Sequence, residues 1–167
     1  MLYSKRKSRR YPAPRRLPDA VAVINGSQDY SQINGTVRFY SDIDGVLVIA
    51  EIFGLPTASV ACGNGVFGFH IHEGGKCSPT ADNPFRDAGM HYNPHSCPHP
   101  YHAGDMPPIF AGKNTSYLAF LSTRFSIDEI VGKTVIIHDS PDDFTTQPSG
   151  ASGKRIACGI ISRVKRI

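Results

Sequence analysis

The chain has no tryptophan, three methionines and four cysteines in 167 residues. No uninterrupted apolar run approaches the roughly eighteen residues a membrane-spanning helix needs, and neither heptads nor internal repeats are visible, which excludes a coiled coil and a repeat array. The first 18 residues contain no acidic side chain. They also lack the apolar stretch of a secretory leader, because their isolated apolar positions are interrupted by Pro12, Pro14 and Pro18. No export signal is therefore expected in this sequence; the protein works inside the cell or its leader lies outside these residues.

What is present fits one domain of ordinary size. Hydrophobic residues make up 40% of the chain, and 16 glycines and 13 prolines are scattered between short apolar runs, the composition of a loop-rich all-β protein. The net charge of +4 is unevenly placed. Lys5, Arg6, Lys7, Arg9, Arg10, Arg15 and Arg16 all precede the first acid, Asp19, which leaves 11 cations against 14 acids in the remainder. Residues 1–18 read as a basic, disordered tail and residues 19–167 as the folded domain.

Strands are predicted from period-two alternation at Ile33 to Tyr40 and elsewhere from short β-prone or apolar runs bounded by turn residues. They cover Ala20 to Ile24, Ile33 to Tyr40, Val46 to Phe53, Val66 to His72, Tyr117 to Leu121, Thr134 to His138 and Ile156 to Val164. Asp42, Asp44 and Gly45 supply a turn between the second and third, so these two are expected as antiparallel neighbours. Seven or eight short strands with at most one or two helical turns predict a sandwich or barrel. Two segments, Gly74 to Pro107 and Asp139 to Lys154, are long, polar and rich in glycine and proline, and loops of that length in a compact domain are usually functional or disordered.

All seven histidines lie between His70 and His138. His70 and His72 stand two apart on a predicted strand, so their imidazoles project from one face as neutral ligands suited to copper, zinc or iron. His91, His95, His99, His102 and Asp105 fall within fifteen residues, and a mixed nitrogen and oxygen set in fourfold coordination suits zinc. His138 ends an apolar strand where it can reach a metal at the barrel surface. The four cysteines permit disulfides without proving them.

The segments Gly68-Phe69-His70-Ile71-His72-Glu73, Ala88-Gly89-Met90-His91-Tyr92-Asn93-Pro94, His102-Ala103-Gly104-Asp105-Met106-Pro107, Gly132-Lys133-Thr134-Val135-Ile136-Ile137-His138 and Gly153-Lys154-Arg155-Ile156-Ala157-Cys158-Gly159 closely resemble the copper-zinc superoxide dismutases. In order and spacing they cover about residues 20–167. The resemblance implies a Greek-key β-barrel, an immunoglobulin-like sandwich of about eight antiparallel strands with two long functional loops. It implies an oxidoreductase that disproportionates superoxide to oxygen and hydrogen peroxide by cycling copper between Cu(II) and Cu(I). Carried over residue by residue, His70, His72, His91 and His138 would bind copper, and His91, His99, His102 and Asp105 would bind zinc. His91 would then bridge both metals and take up and return a proton. Asp142 matches the carboxylate that hydrogen-bonds one ligand of each metal, here His70 and His99. Arg155 matches the guanidinium that guides and docks the anion, and Ser149 the hydroxyl residue that narrows the channel opposite it. Cys77 and Cys158 match the intrasubunit disulfide, and the five-residue step from His72 to Cys77 resembles bacterial members more than animal ones.

The sequence departs from the family pattern at several points. Met90 stands where a glycine commonly precedes the bridging histidine, and His95 and Cys97 add potential ligands inside the zinc loop. Cys62 and Cys97 have no counterparts; free thiols are expected, a second disulfide being the alternative if their loops meet. The loop after His138 is short and lacks the usual run of Glu and Lys, which predicts weaker electrostatic guidance. A non-enzymatic copper- or zinc-storing or delivering protein of the same fold is the rival reading. The family's dimers use different barrel faces, so a homodimer is allowed without a face being chosen. No specific nucleic-acid partner is expected, and contact of the basic tail with polyanions would be weak and non-specific. The compartment stays open: the implied disulfide favours an oxidising one, the missing leader does not.

Overall fold

The computed structural model describes residues 14–57, 65–79 and 83–165. The part of the basic tail from residue 1 to 13, and Cys62, lie outside the described residues. Among the described residues nine strands form: β1 (Ala20–Gly26), β2 (Asn34–Asp42), β3 (Gly45–Phe53), β4 (Val66–Phe67), β5 (Phe69–His72), β6 (Ile109–Phe110), β7 (Ser116–Ser122), β8 (Thr134–His138) and β9 (Arg155–Arg163). One short helix, α1 (Ile127–Ile130), follows β7.

Seven of the strands make one antiparallel sheet in the order β5-β8-β9-β1-β2-β3-β7, and β4 pairs with β6 in a second, small sheet. This is the expected Greek-key barrel architecture. β2 and β3 pair as a meander around the turn at Asp42 to Gly45, with Val37 opposite Ala50 and Phe39 opposite Val48. The C-terminal strand β9 lies against the N-terminal strand β1, placing Asn25 opposite Cys158.

The predicted strand from Val66 to His72 is two strands, and the reason lies at Gly68. Its N–H donates to Ser140 O and its C=O accepts from His138 N, so the chain changes partner between Phe67 and Phe69. β6 has no period-two signature because it is only two residues long.

The alternation within β5 and β8 decides where the chemistry sits. Phe69, Ile71, Val135 and Ile137 point into the main core with Val37, Phe39, Val48 and Ile109. His70 and Ile136 are cross-strand partners on the opposite, outer face. That face is also covered, because Ile136 packs with Phe85, Ala88 and Cys158 under the long loop after β5. Every residue of both strands is therefore buried, the outer face by a loop and not by a second sheet.

The loop reaches β5 by running back along it. Glu73 N donates to Met90 O, Ile71 N to Gly104 O, Tyr92 N to Ile71 O, and Gly104 N to Tyr92 O. Gly104 is required at this crossing, since a Cβ there would stand 2.2 Å from Ile71 O and 2.9 Å from Tyr92 N, both immovable backbone atoms. A Cys77–Cys158 disulfide fixes the same loop to β9. It spans 81 residues, and closure of a loop that long stabilises the fold by roughly 4.5 kcal/mol in the chain-entropy account. Gly104→Ala is expected to destabilise by about 1–3 kcal/mol, the usual cost of forcing atoms into a packed site. Thermal denaturation checks this, and an unchanged midpoint would show that the crossing tolerates a methyl group.

Candidate metal centre

The outer face of β5 and β8 and the two loops over it bring together two ligand groups that share one residue. His70, His72, His91 and His138 form the first, and His91, His99, His102 and Asp105 the second; within each group the ligand atoms all lie within 4.8 Å of one another. Seven side chains from one strand pair and one loop thus make two adjoining sites.

Local structure explains each position. The period of two puts His70 and His72 on the outer face of β5, and the loop meets that strand in bridges pairing His70 with Asp105 and His72 with His91. His138 ends β8 at a register shift, so that it pairs with Arg155 while Ile137 pairs with Ala157. Irregularities of this kind re-aim side chains at strand ends beside functional sites.

Hydrogen bonds fix which ring nitrogen faces inward. His72 Nδ1 donates to Gly89 O at 3.0 Å and His138 Nδ1 lies 3.4 Å from Gly153 O, which leaves both Nε2 atoms facing each other at 3.4 Å. His70 uses the opposite nitrogen, its Nε2 donating to Asp142 Oδ2 at 2.8 Å. His99 Nε2 donates to the other oxygen of the same carboxylate at 3.0 Å. Gly150 makes room for this bridge in a left-handed conformation (φ 72°), because a Cβ there would lie 2.2 Å from Asp142 Oδ1. His91 Nδ1 is 2.8 Å from Asp105 Oδ1.

The inward-facing nitrogens have the environment of metal ligands. Nδ1 of His70, His99 and His102 is buried without a hydrogen-bond partner, a state that ordinarily costs ~1–3 kcal/mol per group. His99 Nδ1 and His102 Nδ1 stand 3.1 and 3.3 Å from Asp105 Oδ2. With its proton committed at Nε2, His99 presents a lone pair to a carboxylate lone pair, a contact that a cation between them turns from repulsive to attractive. The donor set of imidazoles and one carboxylate fits copper and zinc.

Burial also favours the neutral, ligating form. It lowers the pKa of His70, opposed by the Asp142 hydrogen bond; it lowers that of His102; and with the nearby His138 it puts His72 well below its usual range. His138 is brought down to about 3 by burial, with charge repulsion from His70 adding to it. Burial would raise the Asp142 carboxyl, but hydrogen bonds from His70, Phe144 N–H and His99 outweigh it and hold the group well below the usual carboxylate range. Asp105 is lowered against its own burial by the His91 hydrogen bond.

Arg155 joins neither ligand group. Its guanidinium, half-buried beside His138, donates from Nη1 to Phe85 O at 2.6 Å and from Nη2 to Gly89 O at 2.5 Å. Gly89 O therefore receives both Arg155 and His72. Ser149 is half-buried next to Gly150. Among the described residues, His95 and Cys97 belong to neither metal group: His95 is exposed, and Cys97 is a free thiol whose backbone N–H and C=O are both taken by the Asn93 amide. One contributor has no sequence signature at all. Gln147 clasps the backbone of His99, its Oε1 accepting from His99 N at 3.1 Å and its Nε2 donating to His99 O at 2.7 Å.

A β-barrel with two adjoining, imidazole-rich ligand sets on its outer face defines a binuclear metalloprotein. The copper/zinc superoxide dismutase (SODC) family matches residues 33–161. A superoxide dismutase [Cu-Zn] 2 of Aquifex aeolicus is 32% identical over 145 residues, 78% of this chain and 80% of that protein. A superoxide dismutase [Cu-Zn] 1 of the same organism is 35% identical over 142 residues (76% and 79%), and a superoxide dismutase [Cu-Zn] of Deinococcus radiodurans 32% over 151 (80% and 79%). The chain belongs to the copper/zinc superoxide dismutase family and is an oxidoreductase with copper and zinc as cofactors.

The depressed histidine pKa values predict how the metal-free protein responds to acid. Between pH 6.5 and about 3 the unfolded chain binds a proton at His138 that the folded chain does not, so stability falls as pH falls through that window. His70 and His72 shift in the same direction. Denaturant midpoints measured without metal should decrease steadily from pH 7 to pH 4; a flat profile would mean that these imidazoles are not held neutral.

Proposed function

We propose that this superoxide dismutase uses His70, His72, His91 and His138 as its copper ligands and His91, His99, His102 and Asp105 as its zinc ligands. The observation that carries the assignment is the division of donors around His91. Its Nδ1 faces Asp105 at 2.8 Å, which leaves Nε2 for the group made otherwise of histidines only. Copper supplies the one-electron redox couple and zinc a fixed positive charge when bound.

The remaining work falls to the chain. His91 takes up a proton at Nε2 and returns it as peroxide forms, its Nδ1 being held on the side of Asp105 and the zinc ligands. Asp142 holds His70 and His99 in the tautomer whose Nδ1 faces inward. Arg155 docks the superoxide anion: two backbone carbonyls fix the plane of its guanidinium, and its charge is close enough to contribute to lowering the pKa of both His72 and His138. A fixed cation beside the reacting site raises the encounter rate of a small anion, most strongly at low salt. Ser149 narrows the approach opposite Arg155 in this reading.

The folded domain is taken to begin at Asp19, one residue before β1 starts at Ala20. Arg16 fastens the end of the preceding basic segment by pairing with Asp19 at 2.9 Å. The cations before it support weak contact with polyanions, and a homodimer is compatible with the family.

Direct measurement of superoxide decay by the copper- and zinc-loaded protein should show rapid catalysis that disappears in His138→Ala. Both metals bound without decay would favour storage or delivery of the metals instead. Arg155→Ala should lower activity several-fold or more with both metals retained, the loss shrinking as salt is raised; unchanged activity would count against the docking role.

A further inference from the structure

Arg124 lies in the turn between β7 and α1, outside both ligand groups. Its Nη1 nevertheless meets three backbone carbonyls of the loop: Pro100 O at 3.0 Å, His102 O at 3.2 Å and Asp105 O at 3.3 Å. These carbonyls belong to the stretch that supplies His99, His102 and Asp105. Three oxygens converging on one point repel each other unless a cation lies among them, and a guanidinium keeps its charge at any working pH. The turn carrying Arg124 is itself fixed, since Arg124 N donates to Ser122 Oγ at 3.2 Å.

Within the stretch, Asp105 N donates to His102 O, and Asp105 Oδ2 accepts from His102 N at 3.0 Å. Gly104 joins it to β5 by accepting from Ile71 N, and Gln147 clasps His99. Arg124 adds a connection to a different part of the barrel, the turn after β7, across 19 to 24 residues of sequence. By holding the carbonyls of His102 and Asp105 together, it sets the main-chain positions from which the imidazole and the carboxylate reach inward.

We propose that Arg124 is a positioning residue of the zinc site, a clamp on the carbonyls of Pro100, His102 and Asp105 that holds His99, His102 and Asp105 in ligating geometry. The inference rests on the assignment of His91, His99, His102 and Asp105 to zinc. The hydrogen bonds of Arg124 to this stretch go to main-chain carbonyls, so it acts on metal retention through the backbone. Outer partners of metal ligands are typically worth about 10–100-fold in affinity.

The test compares full-length wild type, Arg124→Met, Arg124→Lys and Asp105→Ala. Zinc affinity is read by competition with a chromophoric chelator, and cobalt(II) placed in the zinc site reports ligand geometry through its visible absorption. Arg124→Met, which keeps the aliphatic stem and removes the donors, is expected to bind zinc about 10–100-fold more weakly, with altered cobalt bands. Its copper affinity should stay at the wild-type value and its metal-free melting temperature should fall only slightly, and Arg124→Lys should recover most of the zinc affinity. Wild-type zinc affinity and cobalt bands in Arg124→Met would overturn the proposal. So would parallel losses of zinc affinity, copper affinity and metal-free stability, which would reveal a general structural role. Asp105→Ala separates the two layers of the argument: if it binds zinc as wild type does, the ligand assignment fails and the clamp with it.

Discussion

A single buried carboxylate, accepting a hydrogen bond from an imidazole on each side, ties together three segments far apart in the chain. Asp142 sits on the loop after β8, His70 on β5 and His99 on the long loop after β5. Each bond commits a ring proton to the Nε2 side and thereby turns an Nδ1 lone pair toward the metal groups. The tautomers of His70 and His99, the meeting of the two loops and the orphaned Nδ1 atoms of these two rings follow from where this one carboxylate stands. A buried anion is tolerable only with such partners, so the site and the packing of its loops stabilise each other.

The barrel contributes a rigid face, and backbone hydrogen bonds carry the loop onto it. β5 and β8 give one side of their alternation to the hydrophobic core and the other to histidines, which is why strands buried throughout can still carry polar chemistry. The loop then lies along β5 through main-chain contacts at Ile71, Tyr92 and Gly104. The disulfide and the bonds of Arg155 to Phe85 O and Gly89 O anchor the same loop to β9. Arg155 thus serves two ends: it is a cation beside the copper ligands and a staple for the segment that supplies His91. His72 and Arg155 meet on one carbonyl, Gly89 O, so the position of the guanidinium and the orientation of that imidazole are mechanically linked.

Much of this could be read along the chain because metal ligands are chemically conspicuous. His70 and His72 at strand spacing, the cluster from His91 to Asp105, and His138 at the end of an apolar run all stand out in a sequence with no histidine elsewhere. Strands β1, β2, β3, β7, β8 and β9 are legible as short apolar or alternating runs between turn residues, β8 with its observed bounds and the others with boundaries shifted by one or two positions. The break at Gly68 and the two-residue strand β6 are not, since a change of hydrogen-bond partner leaves no periodic trace. His95 and Cys97 show the opposite error that composition invites: both are potential ligands by type, yet an Asn93 turn and solvent exposure keep them out of the groups.

The sequence by itself determined the ligand inventory, the all-β class and the family, because side-chain identity and spacing are written in it directly. Tertiary structure alone decided the ring orientations of the imidazoles, which nitrogen of His91 faces Asp105, and the contacts made by Gln147, Arg124, Phe85 and Gly89. Those contacts are made to backbone N–H and C=O groups far away in the sequence. Every residue but proline carries the same N–H and C=O, so only the folded chain reveals which of them matter.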